Sequence, residues 1–187
     1  MKRGTALLLV AIAIGFGIEL ATNSVGNETA LLKLGALPDD GQLHGEFWRI
    51  ATYSFLHFNG LHLILNVGLL WWIGRIIEQQ VGIRRGALIY FVSVVCSAAV
   101  ILLWHSMNPK EGATVGASGG IFGLLGAALI ILYRKNSSER FRRWLWIALA
   151  VGFGVSFLPG ISMAGHIGGI IGGVLTALLI KLQRNES

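Results

Sequence analysis

The chain has 187 residues, 54% of them hydrophobic and only 13% charged, with a mean hydropathy of +0.69. A soluble domain carries about 25% charged residues, so this balance excludes an ordinary soluble protein and indicates a polytopic membrane protein. The net charge of +6 does not signal a nucleic-acid partner, because the basic residues gather in short segments between apolar runs.

Met1-Lys2-Arg3 ahead of the apolar run 5–18 has a shape shared by signal peptides and first spans. No small-residue cleavage site stands near Leu20 to Asn23, so a retained span over 5–21 is predicted, with Glu19 at its outer end. The segment 22–60 is the longest between apolar runs. Pro38-Asp39-Asp40-Gly41 in it is a turn signal, and Glu46-Phe47-Trp48-Arg49-Ile50 suits an interfacial structure rather than a floppy linker. Further spans are predicted at 61–77, 86–104, 117–133, 144–158 and 161–180, the last two joined tightly through Pro159-Gly160. The expected fold is therefore an all-α polytopic membrane protein, a single domain 1–187 with six transmembrane helices. Several spans are shorter than the ~20 residues a ~30 Å core requires, so some helix ends should dip below the surface. Cys96 is the only cysteine, so no internal disulfide forms.

With the N-terminus in the cytoplasm, the inner segments carry Lys2, Arg3, Arg75, Arg84, Arg85, Arg134, Lys135, Arg140, Arg142, Arg143, Lys181 and Arg184, and the outer ones only Lys33, Arg49 and Lys110. This positive-inside asymmetry places both termini in the cytoplasm of a cell (inner) membrane protein. Glycines say which spans touch. Gly165, Gly169 and Gly173 recur every four residues, as do Gly168/Gly172, Gly116/Gly120 and Gly119/Gly123. Small residues four apart let two helix backbones approach closely, so the fourth and sixth spans should pack on each other.

Polar groups inside a membrane helix are costly and mark candidate functional sites. His62 and Asn66 share one face of the second span, Ser118 begins the fourth, and His166 lies near the start of the sixth. Counting about 1.5 Å per residue back from Glu78, Arg134 and Lys181 puts His62, Ser118 and His166 each roughly 6–8 Å below the outer surface. Groups at one depth on three helices can meet. The chemistry such a meeting permits is acyl transfer. His166 can take the Ser118 proton. The Ser118 N–H, its helix dipole, His62 and Asn66 can stabilise the oxyanion. None of the nine acids falls at this depth beside His166, so a Ser–His dyad is expected. Phe122, one turn after Ser118, can orient the histidine by ring stacking.

At these residues the chain resembles the rhomboid family of intramembrane serine proteases. Gly116-x-Ser118-Gly119 is similar to the family's nucleophile motif. Ala164-Gly165-His166-Ile167-Gly168-Gly169 with Gly173 resembles its histidine motif, and His57 followed by Leu61-His62-Leu63-Ile64-Leu65-Asn66 its second-span signature. Phe47-Trp48-Arg49 resembles the Trp-Arg pair of its first outer loop. The resemblance implies six spans and a water-filled cavity opening outward. It implies cleavage of transmembrane protein substrates in the lipid bilayer near their outer ends, without cofactor, metal or nucleic acid. By position it makes Ser118 the nucleophile, His166 the base, and His62 and Asn66 oxyanion groups with Gly116 in support. Trp48 and Arg49 would brace the first loop. Phe122 falls where the family often has a stacking tyrosine, keeping the ring without the hydroxyl. The short fifth span and the connection 158–163 fall where substrate is thought to enter sideways.

Plainer readings stand beside these. Ser118 also suits a helix-start or packing serine, His166 a satisfied core histidine, and His62 and Asn66 a tie between helices. His57 reads as structural, His44 and His105 as surface residues, Trp71-Trp72 as lipid-facing packing, and Arg75 as snorkelling to the inner surface. Glu78 suits an inner helix-end charge or a structural hydrogen-bonding group. Two other functions compete with proteolysis: a proteolytically silent protein that holds transmembrane helices, and a small metal or proton transporter using His57, His62 and His166. The transporter lacks an inverted repeat and an intramembrane carboxylate pair. A histidine base must be neutral, so dyad activity should fall as pH drops through its pKa.

Overall fold

The computed structural model describes residues 3–134, 138–158 and 160–180. Lys2, Lys135, Lys181 and Arg184 of the charge asymmetry, and Pro159 of the last connection, lie outside the described residues. The chain is an all-α polytopic membrane fold. Its long helices are α1 (Arg3–Ala21), α4 (Gly60–Val81), α5 (Ile83–Met107), α6 (Ser118–Arg134), α7 (Glu139–Val155) and α8 (Met163–Leu179). Two short ones, α2 (Glu28–Leu34) and α3 (Arg49–Thr52), fold the segment between α1 and α4. Helices α1, α4 and α5 are long and apolar enough to cross a membrane, and α6 and α8 are apolar helices of 17 residues.

The boundaries differ from the sequence reading at the charges between the second and third spans. Helix α4 runs on past Glu78 to Val81, and α5 restarts after Gly82 alone, carrying Arg84 and Arg85 inside its first turn. Gly82 at φ +82° ends α4, because a left-handed residue stops a helix where a charge does not. Helix α7 starts early, at a Ser138 cap that accepts from the Phe141 N–H.

The centre is a three-helix contact of α5, α6 and α8, and the glycines are its cause. A Cβ on Gly173 would collide with the Gly123 carbonyl, and one on Gly169 with the Gly119 carbonyl. That is the expected contact of the fourth and sixth spans. The second glycine stripe serves another neighbour. A Cβ on Gly168 would stand 2.7 Å from the Cys96 carbonyl oxygen, and one on Gly172 2.9 Å from Cys96 Cβ. Helix α8 is thus a wedge with one small-residue face on α6 and another on α5. Helix α4 packs on α6 and α1, and α7 lies against α6. Helix α7 is the loosest of the six, with Leu145 and Leu149 its only buried residues among those described.

Glu78 resolves as a hydrogen-bonding group. It is buried, and its carboxylate accepts from the Gly4 N–H at 3.0 Å, the Thr5 N–H at 2.9 Å and Thr5 Oγ1 at 2.9 Å. A carboxylate against the first-turn N–H groups also complements the α1 dipole. Glu78→Ala should therefore lower stability by about 1–3 kcal/mol, the cost of leaving such donors unmet. A lower apparent Tm in detergent checks this; an unchanged one would show that water replaces the carboxylate. Arg75 is half-buried, with its guanidinium 4.7 Å from the Trp71 ring centroid. Trp71 is exposed to the surroundings, whereas Trp72 packs inward on Phe141.

Between the long helices, β1 (Leu37–Pro38) pairs antiparallel with β2 (Ala113–Thr114), tying the first loop to the segment before α6. Asp39 follows β1 and is buried. It accepts from Thr114 Oγ1 at 2.6 Å and lies 3.2 Å from Lys110 Nζ and 3.4 Å from His105 Nε2. His105 is therefore a buried member of this tie, not the surface residue its position suggested. His44 is exposed and pairs with Asp40 at 2.7 Å.

Candidate active site

The loop before α6 is anchored by the Gly116 N–H, which donates to the Tyr53 carbonyl at 3.0 Å. Gly116 has φ +131°, a conformation open to glycine. A Cβ there would stand 2.8 Å from His62 Cε1 and Nε2 and 3.8 Å from Ser118 Oγ. The bare Cα thus lets the His62 imidazole and the Ser118 hydroxyl flank one small space. Ser118 is the first residue of α6 and half-buried. Its N–H belongs to the helix's first turn and has no intrahelical acceptor.

His166 sits in the first turn of α8, behind a Ser162 cap, and is 5% exposed. Phe122, on the Ser118 face of α6, stacks on its ring at 3.9 Å between centroids and 8° between planes. The helix contact aligns the two ends. Ser97 Oγ of α5 lies against Gly119, next to Ser118, and 3.2 Å from a Cβ on Gly165, next to His166. Helix α7 closes the other side. Ser156 Oγ, just past its last turn, is 2.5 Å from His166 Nδ1 and donates to the Gly152 carbonyl at 2.9 Å. A Cβ on Gly152 would stand 2.6 Å from Phe122 Cζ. Among the described residues the hydrogen-bond partner of the His166 ring is Ser156, and no hydrogen bond joins it to Ser118 Oγ. Catalytic hydrogen bonds often tighten only when substrate is bound.

Asn66 is buried on α4, and its amide donates to the His62 carbonyl at 2.8 Å. One amide hydrogen remains for another acceptor. Behind His62 stands His57, edge-on at 5.1 Å and fully buried, with no partner for either ring nitrogen among the described residues. Its backbone N–H donates to Glu19 Oε1 at 2.8 Å, so the acid near the C-terminal end of α1 is a buried strut. Burial, and then the neighbouring His62, hold the His57 pKa down at about 3. An unfolded histidine has a pKa of about 6.5. Between these values the unfolded chain binds a proton that the folded chain does not, so this contribution is complete above pH ~6.5 and is lost as pH falls toward 3. His57→Phe keeps a ring and removes the titration. Its apparent Tm should fall less than that of wild type between pH 7 and pH 4; equal falls would remove His57 as the cause.

Arg49 is buried under the first loop. It donates through Nη1 to the Leu32 and Ala36 carbonyls, both at 2.6 Å, and through Nε to Glu46 Oε2 at 2.8 Å. It ties α3 to the C-terminus of α2. Trp48, the other residue of the pair, is 57% exposed, beside Phe47 at 69%. Among the described residues no three His, Cys, Asp or Glu side chains converge as a metal ion needs.

A family model described as "Rhomboid domain" matches residues 44–183. The chain belongs to the rhomboid family. It is 32% identical over 95% of its length to the rhomboid protease GluP of Bacillus subtilis, covering 34% of that protein. It is 32% identical over 84% of its length to RHOMBOID-like protein 7 of Arabidopsis thaliana, covering 50% of it. Inactive RHOMBOID-like protein 8 of the same plant is 34% identical over 67% of the chain, which covers 36% of it. The chain thus spans between a third and a half of the length of these curated rhomboid relatives. Two residues at the site escaped the sequence reading. Ser156 carries a faint signal, a hydroxyl four residues after Gly152 near the end of an apolar span. Ser97 carries none, since serine is ordinary in a membrane helix.

Proposed function

We propose that the chain is an intramembrane serine endopeptidase that hydrolyses peptide bonds in or near transmembrane segments of membrane proteins through a Ser118–His166 dyad. The observation that carries this is the Phe122–His166 stack, which holds the histidine one turn from Ser118 across the α6–α8 contact, with His62 and Ser118 flanking Gly116. Ser118 Oγ attacks the scissile carbonyl carbon while His166 takes its proton. The Ser118 N–H, His62 and the free amide hydrogen of Asn66 meet the developing oxyanion, each donor worth about 2.7–4 kcal/mol. The tetrahedral intermediate expels the amine, which takes the proton from His166. The acyl-enzyme is then hydrolysed by water with the same base. The six long helices read as six crossings of the cell membrane in one domain, both termini cytoplasmic and the site near the outer surface.

The test is purified protein with a fluorescent transmembrane substrate, with the new N-terminus sequenced. Equal cleavage by wild type and Ser118→Ala would sink the proposal. A second reading, a silent protein that holds transmembrane helices, is kept by the inactive relative at 34% identity. Absence of Ser118 labelling by a serine-reactive fluorophosphonate would favour it.

A further inference from the structure

Ser156 is buried, 4% exposed, and belongs to neither α6 nor α8. Its hydroxyl has two neighbours: the Gly152 carbonyl at 2.9 Å and His166 Nδ1 at 2.5 Å. A carbonyl oxygen can only accept, and a serine hydroxyl has one proton to give. Both contacts are satisfied together when Ser156 Oγ–H donates to Gly152 and Nδ1–H of His166 donates to Ser156 Oγ. That pattern puts the neutral imidazole's proton on Nδ1 and leaves Nε2 with a free lone pair. The opposite tautomer would leave Gly152 without the hydroxyl and His166 without a basic nitrogen on its unbonded side. Helix α7 grips the same ring assembly twice, since Gly152, one turn before Ser156, lies against Phe122.

We propose that Ser156 is a positioning residue for the His166 base: it fixes the Nδ1–H tautomer and the ring angle, so that the unit at work is Ser118–His166–Ser156 rather than a dyad alone. This rests on the proteolytic reading above. In the acylation step the Ser118 Oγ proton moves to His166 Nε2, and the imidazolium keeps its Nδ1–H donated to Ser156. The hydroxyl stays neutral throughout, and no further proton moves. A neutral acceptor orients the ring without the charge compensation a carboxylate would add. The ring's orientation is then set by α7, the long helix that buries the fewest of its own residues, so the base is aligned only while α7 is docked.

The experiment compares wild type, Ser156→Ala, Ser156→Thr and Ser118→Ala in one detergent. Cleavage of a fluorescent transmembrane substrate gives kcat and KM. Nitrogen NMR of histidine-labelled protein gives the His166 tautomer, with His166→Asn assigning the signal. Ser156→Ala should lower kcat about tenfold or more with KM within twofold, and should move the His166 resonance away from the Nδ1–H pattern. Ser156→Thr keeps a hydroxyl and should restore most of both. A purely structural serine would change Tm and KM and leave the tautomer alone. An unchanged kcat together with an unchanged tautomer in Ser156→Ala overturns the proposal, as does a threonine variant no better than alanine. Should Ser156→Ala fail to fold, the tautomer in wild type and Ser156→Thr decides: Nε2–H in both overturns it. Equal cleavage by wild type and Ser118→Ala would fail the protease reading instead, and the NMR arm still reports on Ser156.

Discussion

Ser118→Ala, His166→Ala and the double variant are expected to be equally inert, each slower than wild type by on the order of 10⁴–10⁶ in kcat. In the proposed mechanism the nucleophile and its base act in one step, so removing either removes the whole contribution, and removing both costs little more. The expectation is specific to the pair the structure brings together through Phe122, which stacks on His166 one turn below Ser118. Ser118→Ala shrinks a half-buried side chain at the start of α6 and His166→Ala a buried one in the first turn of α8; both leave the glycine contacts untouched, so the variants should keep the wild-type helical signal. Single-turnover cleavage of a fluorescent transmembrane substrate measures the three rates. Multiplicative losses would mean that Ser118 and His166 work separately, and residual wild-type activity in His166→Ala would require another base. His62→Ala and Asn66→Ala should behave differently, slowing the reaction while a measurable rate remains, because several donors share the oxyanion.

Gly173→Val is expected to be the most destabilising single change in the transmembrane region. The added Cβ would fall on the Gly123 carbonyl oxygen, 2.5 Å from its carbon and 2.6 Å from Gly123 Cα. These are backbone atoms of a neighbouring helix, which no rotamer change can move. Helices α6 and α8 must separate, and their carbonyl and glycine contacts are lost along several turns. Overpacking a close-fitted interior costs about 1–3 kcal/mol, and a whole-helix displacement should reach or exceed the upper figure. Activity should fall further than stability implies, because a ~1 Å shift of a catalytic group can cost about 10²-fold. Gly68→Ala is the control: a Cβ there meets nothing within 4 Å, and alanine is the better helix former by about 1 kcal/mol. Apparent Tm and cleavage rate for the two variants check both halves. A Gly173→Val protein as stable as Gly68→Ala would show that the α6–α8 spacing is not set by these glycines.

The fold class was legible because a membrane helix announces itself by composition. Apolar runs of about twenty residues, basic flanks and glycines at four-residue spacing each follow from the solvent the chain must match. Helix ends were less legible. Glu78, Arg84 and Arg85 looked like boundaries, yet a helix ends where the backbone turns, at Gly82, and not where the hydrocarbon does. The second-span polar pair, the serine turn and the last-span histidine stood out for the same physical reason: a polar group in lipid is conspicuous.

What the sequence alone determined about this protein is its class and its family, and it singled out the residues proposed to do chemistry. Tertiary structure decided which partners those residues have. His105, near the C-terminal end of α5, read as surface and is buried against Asp39. Glu78 read two ways until α1 delivered the Gly4 and Thr5 N–H groups to it across the fold. Trp48 and Arg49 read as one motif, and the structure buries the arginine and exposes the tryptophan. The second glycine stripe of α8 said that something approaches closely, and only the packing names α5. Ser156 lay ten residues before His166 with nothing local to link them. Periodicity reports which face of a helix is special. The identity of what meets that face depends on how all the helices dock, and that information is not held in any one segment.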